Sequence, residues 1–162
     1  MSLLRVSLLA AILDQASKYL VVKYFRFSDS VALIHNYLYI TYIQNSGAAF
    51  GFMANTKALF RIPFFVAITF GAGLIVYSYQ RFIPYEKKWT RFALGLIWGG
   101  AMGNFIDRIH YGKVVDFIDA SHIPFPFGYR FSYIFNLADS CITVGLTILV
   151  LSYWFEKQDK KT

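Results

Sequence analysis

Between Arg61 and Arg81 lie 19 consecutive residues without a charged side chain, Ile62 to Gln80. As an α-helix rising about 1.5 Å per residue, this run is about 28 Å long, close to the hydrocarbon thickness of a bilayer. Nothing else in the chain limits its fold as strongly, because a span of that kind needs either lipid or a large core around it. The rest of the sequence favours lipid. Of 162 residues, 57% are apolar and only 15% are charged, whereas a soluble domain is usually about 45–50% apolar and about 25% charged. Disorder is excluded by the same balance, since it requires low hydrophobicity and high charge.

Three more segments qualify as spans. One runs from about Leu3 to Val22; Phe92 to Ile106 and Ser140 to Phe155 offer 15 and 16 uncharged residues. The last two reach full length only by extending past Asp107 or Asp139, which carries ionisable groups into the membrane zone. Arg5 followed by Val6 to Leu13 superficially fits a cleaved signal peptide. With no small-x-small site and a helical pattern continuing through Asp14 and Lys18, a retained helix is expected. We therefore expect residues 1–162 to form a single integral membrane domain. Its spans are placed at about 3–22, 59–80, 90–108 and 133–155, and its outer loops at 23–57 and 107–131.

The net charge of +7 forms no basic stripe interleaved with aromatics, so nucleic acid is not an expected partner. The cations instead flank the apolar runs. Arg81, Lys87, Lys88 and Arg91 crowd one 11-residue link, and Lys157, Lys160 and Lys161 follow the fourth span. By the positive-inside rule both termini and that link face the cytoplasm. The first outer loop contains Val31 to Gln44, rich in Tyr, Ile, Leu and Thr, which predicts a short sheet at the outer surface. Asn45 to Gly51 then reads as a turn and re-entry. Gly95, Gly99 and Gly103 recur every fourth residue and predict close helix packing. A lone Cys141 and scattered His35, His110 and His122 offer no metal-ligand set, and no metal site is expected.

The nine acids separate into two groups. Asp29, Glu86, Glu156 and Asp159 read as solvated. Asp14, Asp107, Asp116, Asp119 and Asp139 all fall within or just outside the outer half of the membrane zone, where a charge is costly and defaults to function or tight pairing. Asp14 and Lys18 share a helix face and read as an internal pair or as a holder of another polar group. Asp107 and Arg108 read as interfacial anchors, with Asn104 one turn deeper on the same face. Asp119 reads as solvated. Asp116 and Asp139 have apolar surroundings and no local counter-ion. Two carboxylates brought together in an apolar site share a proton, so one can serve as base toward water and the other as acid. The residues alone leave open whether the two meet. A proton-coupled transporter or a non-catalytic assembly protein held by the glycine face stand beside catalysis. Five acids on the outer side and no evident inverted repeat argue against transport.

Five short segments alter that balance. Asp14-Gln-Ala-Ser-Lys18 resembles a D-x-x-x-K box, and Asn45-Ser-Gly-Ala-Ala-Phe-Gly51 an N-x-G-x-A-F-G box. Gly99-Gly-Ala-Met-Gly-Asn-Phe-Ile-Asp-Arg108, Val114-Val-Asp-Phe117 and Phe135-Asn-Leu-Ala-Asp-Ser140 resemble G-G-A-x-G-N-x-x-D-R, V-V-D-F and F-N-x-A-D-x boxes. In this order the chain resembles bacterial lipoprotein signal peptidase (signal peptidase II) over nearly its whole length. The resemblance implies an aspartyl endopeptidase of the bacterial cytoplasmic (inner) membrane. It would cut diacylglyceryl-modified prolipoproteins just before the lipidated Cys, at the outer face. By motif, Asp116 and Asp139 would be catalytic; Asp14, Lys18, Asn45, Gly47, Asn104, Arg108 and Asn136 would bind substrate or support the site. It further implies an all-α membrane protein of four transmembrane helices with a small extracytoplasmic β-sheet, the β-cradle, between helices 1 and 2. Membrane lipid and globomycin-type inhibitors are the implied partners, no cofactor is implied, and a monomer is expected.

Overall fold

A computed structural model describes residues 2–47, 53, 55–124 and 133–159, with residues 158 and 159 as backbone only. Four long helices form: α1 (Leu3–Tyr24), α2 (Ala58–Gln80), α3 (Lys88–Tyr111) and α4 (Leu137–Asp159). The apolar runs are their middles, and local chemistry sets their ends. The Ser2 hydroxyl accepts the Arg5 N–H at the start of α1. At the end of α3, Gly112 adopts φ +65°, a left-handed cap that a residue with a Cβ disfavours, and its N–H returns to the Arg108 carbonyl.

Helix α3 is the centre of the bundle. Gly95 and Gly99 let α1 approach until a Cβ at Gly99 would lie 2.6 Å from the Ser7 carbonyl oxygen. Gly103 is open for a different reason: its missing Cβ leaves the space taken by the Asp14 carboxylate. The expected packing role of this glycine row is thus borne out. At one end of the bundle, Leu3, Val76, Ile83 and Leu94 pack with Trp98 and Leu149. Those residues come from the start of α1, the end of α2, the link that follows it, the first half of α3 and the second half of α4, so successive helices run in opposite directions. Near this end Lys87 and Glu156 form a half-exposed ion pair at 2.5 Å, where Glu156 was expected to be merely solvated.

The other end carries a four-stranded antiparallel sheet in the order β1 (Ser30–Ile34), β2 (Leu38–Asn45), β3 (Val114–Asp119) and β4 (Ile134–Phe135). Strands β1 and β2 are the predicted sheet of residues 31–44. The expectation that the sheet lies between helices 1 and 2 needs correction: half of its strands come from the connection between α3 and α4. That connection is drawn into strand form because β2 offers Val114–Asp119 a ladder, a partner remote in sequence. The fourth span also begins later than expected, since β4 occupies 134–135 and α4 starts at Leu137. Under the sheet, Val21, Tyr42, Val115 and Phe117 form a second apolar cluster.

Large apolar side chains remain exposed along every helix, among them Leu4, Leu8, Phe70, Ile75, Ile109, Val150 and Leu151. Among the described residues, Ala58–Gln80 and Leu137–Lys157 are long and apolar enough to cross a membrane. Between the two apolar clusters the interior is polar.

Candidate active site

That polar interior is built from α1, α3, β2, β3 and the start of α4. On α1, Asp14 and Lys18 lie one turn apart with both side chains buried. Lys18 Nζ is 2.8 Å from Asp14 Oδ2 and 3.0 Å from Asp107 Oδ2, and it donates to Asn104 Oδ1 at 3.0 Å. These three partners use its three ammonium protons. Asp14 and Lys18 are thus both an internal pair and the holder of other polar groups. Asp14 also reaches α4, where its Oδ1 accepts the Ala138 N–H at 2.8 Å.

Asp107 corrects the reading as an interfacial anchor. It is 1% exposed, pairs with Lys18, and accepts from the Val115 N–H at 3.0 Å and from Gln15 Nε2 at 2.9 Å. It therefore ties α3 to both α1 and β3. Neither Asp107 nor Gln15 was among the expected site residues. The spacing held a signal, because Asp107 lies three residues after Asn104 on one helix face and Gln15 adjoins Asp14.

Asn136 sits just before α4 and serves as its cap: Oδ1 accepts the Asp139 N–H at 2.9 Å. Its amide nitrogen points the other way and donates to Asp116 Oδ1 at 2.6 Å and to Asn104 Oδ1 at 3.0 Å. Asn104 Nδ2 donates to Asp139 Oδ1 at 2.7 Å. Asp116, on β3, is thereby linked through two amides to Asp139 in the first turn of α4. Asp139 gains from that location, since a helix N-terminus favours negative charge. From β2, Asn45 Nδ2 donates to Asp116 Oδ2 at 3.0 Å while its Oδ1 accepts the Gly47 N–H at 2.9 Å.

Arg108 borders the site beside Gly47 and Phe65. Its guanidinium donates to the Asn104 carbonyl at 3.1 Å and to the Gly47 carbonyl at 3.2 Å, and stacks 4.3 Å from the Phe65 ring centroid. Its positive charge acts on Asp139, Asp116 and Asp107. All nine expected site residues therefore belong to one connected network. The remainder of the Asn45–Gly51 segment, beyond Gly47, lies outside the described residues. Among the described residues no buried side-chain polar atom lacks a hydrogen-bond partner.

Asp116 is 1% exposed, whereas Asp139 is half-buried. Burial and then the neighbouring Asp139 charge push the Asp116 carboxyl up to about 7, against the pull of the Asn45 and Asn136 hydrogen bonds. Such a pair can hold one proton between two carboxylates at neutral pH. Asp119 departs from expectation as well: it is buried, not solvated. Burial acts to raise its carboxyl, but donors on Ser121 and Thr41 hold it below the usual carboxylate range.

A helical bundle with apolar outer faces around paired carboxylates defines a class, the aspartic peptidase of the membrane. Comparison with known proteins narrows it. The model of the signal peptidase (SPase) II family matches residues 6–155. Lipoprotein signal peptidase of Brevibacillus brevis is 42% identical over 146 residues, 89% of either chain. That of Syntrophotalea carbinolica is 36% identical over 154 residues, 94% of this chain and 90% of the relative. A solved bacterial membrane enzyme superposes with a TM-score of 0.82 at 32% identity, covering 98% of this chain and 90% of its own. The chain belongs to the signal peptidase II family, aspartic peptidases that remove signal peptides from prolipoproteins.

Proposed function

We propose that Asp116 and Asp139 are the catalytic dyad of this peptidase. The observation that carries the reading is the amide bridge: Asn136 and Asn104 link the two carboxyl groups, each donating to one of them. One carboxylate takes a proton from a water molecule, whose oxygen attacks the scissile carbonyl. The other, protonated, gives its proton to the amide nitrogen as the carbon–nitrogen bond breaks. A carboxyl raised to about 7 beside a second carboxylate suits that division at neutral pH. The two titrate as a pair, so the proton is shared before it is committed.

The remaining residues prepare the site. Lys18 orients Asn104, which donates to Asp139 on one side, and Asn45 and Asn136 hold Asp116 on the other. Asp14 fixes the start of α4 through Ala138. Arg108 and Gly47 border the dyad and supply groups for the substrate backbone.

We further propose that all four helices cross the membrane, so that residues 1–162 form one integral domain with cytoplasmic termini. The exposed apolar faces of α1 and α3 support this, since in water they would be unpaired and in lipid they need no partner. The sheet and dyad then face the outer interface. A prolipoprotein enters with its diacylglycerol chains in lipid and its signal helix along the bundle, which presents the bond before the lipidated Cys to water. Holding the bond there contributes several kcal/mol to the barrier reduction, on the order of what fixed geometry supplies. The chain acts as a monomer, and a globomycin-type peptide occupies the same site.

The decisive experiment compares Asp116→Asn and Asp139→Asn with the wild-type protein on a diacylglyceryl-modified proprotein. Each variant accumulates in membranes and fails to cleave. Near wild-type turnover in either removes the dyad assignment.

A further inference from the structure

Asp119 takes no part in the dyad network, yet it is buried and fully engaged. Its Oδ2 accepts from Thr41 Oγ1 on β2 at 2.8 Å, and its Oδ1 accepts from the Ser121 N–H at 3.0 Å and from the Ser121 hydroxyl. Thr41 Oγ1 lies 2.8 Å from Ser30 Oγ on β1. Because the single Thr41 proton goes to Asp119, Ser30 is the donor in that contact. One carboxylate thus gathers β1, β2 and the end of β3.

The point at which it grips β2 is where the ladder changes phase. Tyr39 opposes Asp119 and Ile40 opposes Ile118, but the next pair is Ile43 with Asp116. Between them β2 advances three residues and β3 two, so Thr41 and Tyr42 together face Phe117 in a one-residue bulge. The bulge decides which side chain meets Asp116. Observed pairing puts Ile43 and Asn45 on the face of Asp116, where Asn45 donates its 3.0 Å hydrogen bond. A regular ladder continued from Ile40 would pair Tyr42 with Asp116. Asn45 would then lie on the opposite face, because a one-residue slip inverts every side chain. Strand β3 has its own anchor, the Val115 N–H on Asp107. On β2 the bulge residue Tyr42 accepts from the Ser28 N–H at 2.9 Å and donates to the Asp29 carbonyl at 3.0 Å, while Thr41 supplies the side-chain tie to β3.

We propose that Asp119 and Thr41 are positioning residues for the peptidase reaction: their hydrogen bond pins the bulge in β2 that turns Asn45 onto Asp116. The inference rests on the reading of Asp116 as catalytic, and its test separates the two. Turnover of a diacylglyceryl-modified proprotein is measured with the purified full chain carrying Thr41→Val, Thr41→Ser, Asp119→Ala, Asn45→Ala and the Thr41→Val/Asn45→Ala pair. Thr41→Val and Asp119→Ala each lower kcat about tenfold with KM within about twofold, the loss of one positioned hydrogen bond. Thr41→Ser, which keeps the hydroxyl, restores wild-type kcat. In the Asn45→Ala background, Thr41→Val costs nothing further, because the contact it serves is already gone. Wild-type kcat in Thr41→Val, or the same tenfold loss in both backgrounds, overturns the proposal.

Register is read directly by oxidative cross-linking, independently of catalysis and of whether Asp119→Ala folds. In a Cys141→Ala background, Gln44→Cys with Val115→Cys joins the observed pair. Adding Thr41→Val shifts cross-linking toward Gln44→Cys with Val114→Cys. Unchanged cross-linking overturns the proposal even if Asp116→Asn is inactive. An active Asp116→Asn with shifted cross-linking instead overturns the dyad and leaves the register pin standing.

Discussion

Replacing Lys18 by Met tests the polar interior at its most connected point. The long stem is kept and the ammonium group removed. Lys18 is 3% exposed and bridges two carboxylates, Asp14 at 0% and Asp107 at 1% exposure, at 2.8 and 3.0 Å. Neither carboxylate then keeps a cation at contact distance among the described residues. Removing one partner of a buried pair typically costs about 3–5 kcal/mol, because the other charge stays buried without compensation. At about 1.4 kcal/mol per tenfold, that is roughly two to three and a half orders of magnitude in the folding equilibrium. Lys18→Met is therefore expected to melt well below the wild type in detergent micelles and to accumulate poorly in membranes. A second substitution, Asp14→Asn, removes one orphaned charge while keeping an oxygen for the Ala138 N–H, and recovers about half of the loss. Turnover of that double variant stays about tenfold down, since Asn104 has lost the 3.0 Å donor that orients it toward Asp139. A Lys18→Met protein with wild-type melting would refute the reasoning, for it would mean that the two carboxylates do not depend on this cation.

Other expectations are open to the same tools. Asp116, held up at about 7, loses its proton as pH rises through that value, so kcat/KM falls on the alkaline side of about pH 7. Stability has the same sign: the raised carboxyl is fully accommodated below its ordinary value of 3.8, and that contribution is lost as pH rises through about 7. Asn45→Ala removes a bond that lowers this carboxyl and moves the alkaline limb upward; an unmoved limb would detach Asp116 from the profile. Gly103→Ala forces a Cβ onto the Asp14 carboxylate and costs about 1–3 kcal/mol. Gly71→Ala, with open space around it in the middle of α2, gains about 0.5–1 kcal/mol, and thermal melting of the two distinguishes packing from helix propensity.

Residues that act through their neighbours along the chain were legible in the sequence. The span placed at 59–80 from the 19-residue run matches α2 to within a residue at its start, and the glycine spacing identified the face of α3 that meets α1. Asp14 and Lys18 were recognisable as a pair because helical spacing alone brings them together. Asp116 and Asp139 stood out because apolar sequence around a carboxylate is unusual, and the family boxes added their neighbours.

What remained hidden depends on contacts between distant segments. Val114–Asp119 carries no turn or alternation signal strong enough to announce a strand, and becomes one only when β2 lies beside it. Asn45 and Asp116 are 71 residues apart, and Asp14 accepts from the Ala138 N–H of α4, 124 residues further on. Asp107 and Asp119 were misread for the same reason. Asp107, beside Arg108, reads as an interfacial anchor and Asp119 as solvated until the elements that bury them are in place. Sequence by itself determined the helices, the membrane-like surface and the stock of acids, because each follows from periodicity or local composition. Tertiary structure alone decided which acids are buried, which amide joins which carboxylate, and the bulge that sets the face of Asn45, because burial and hydrogen bonding belong to pairs of segments and not to either one.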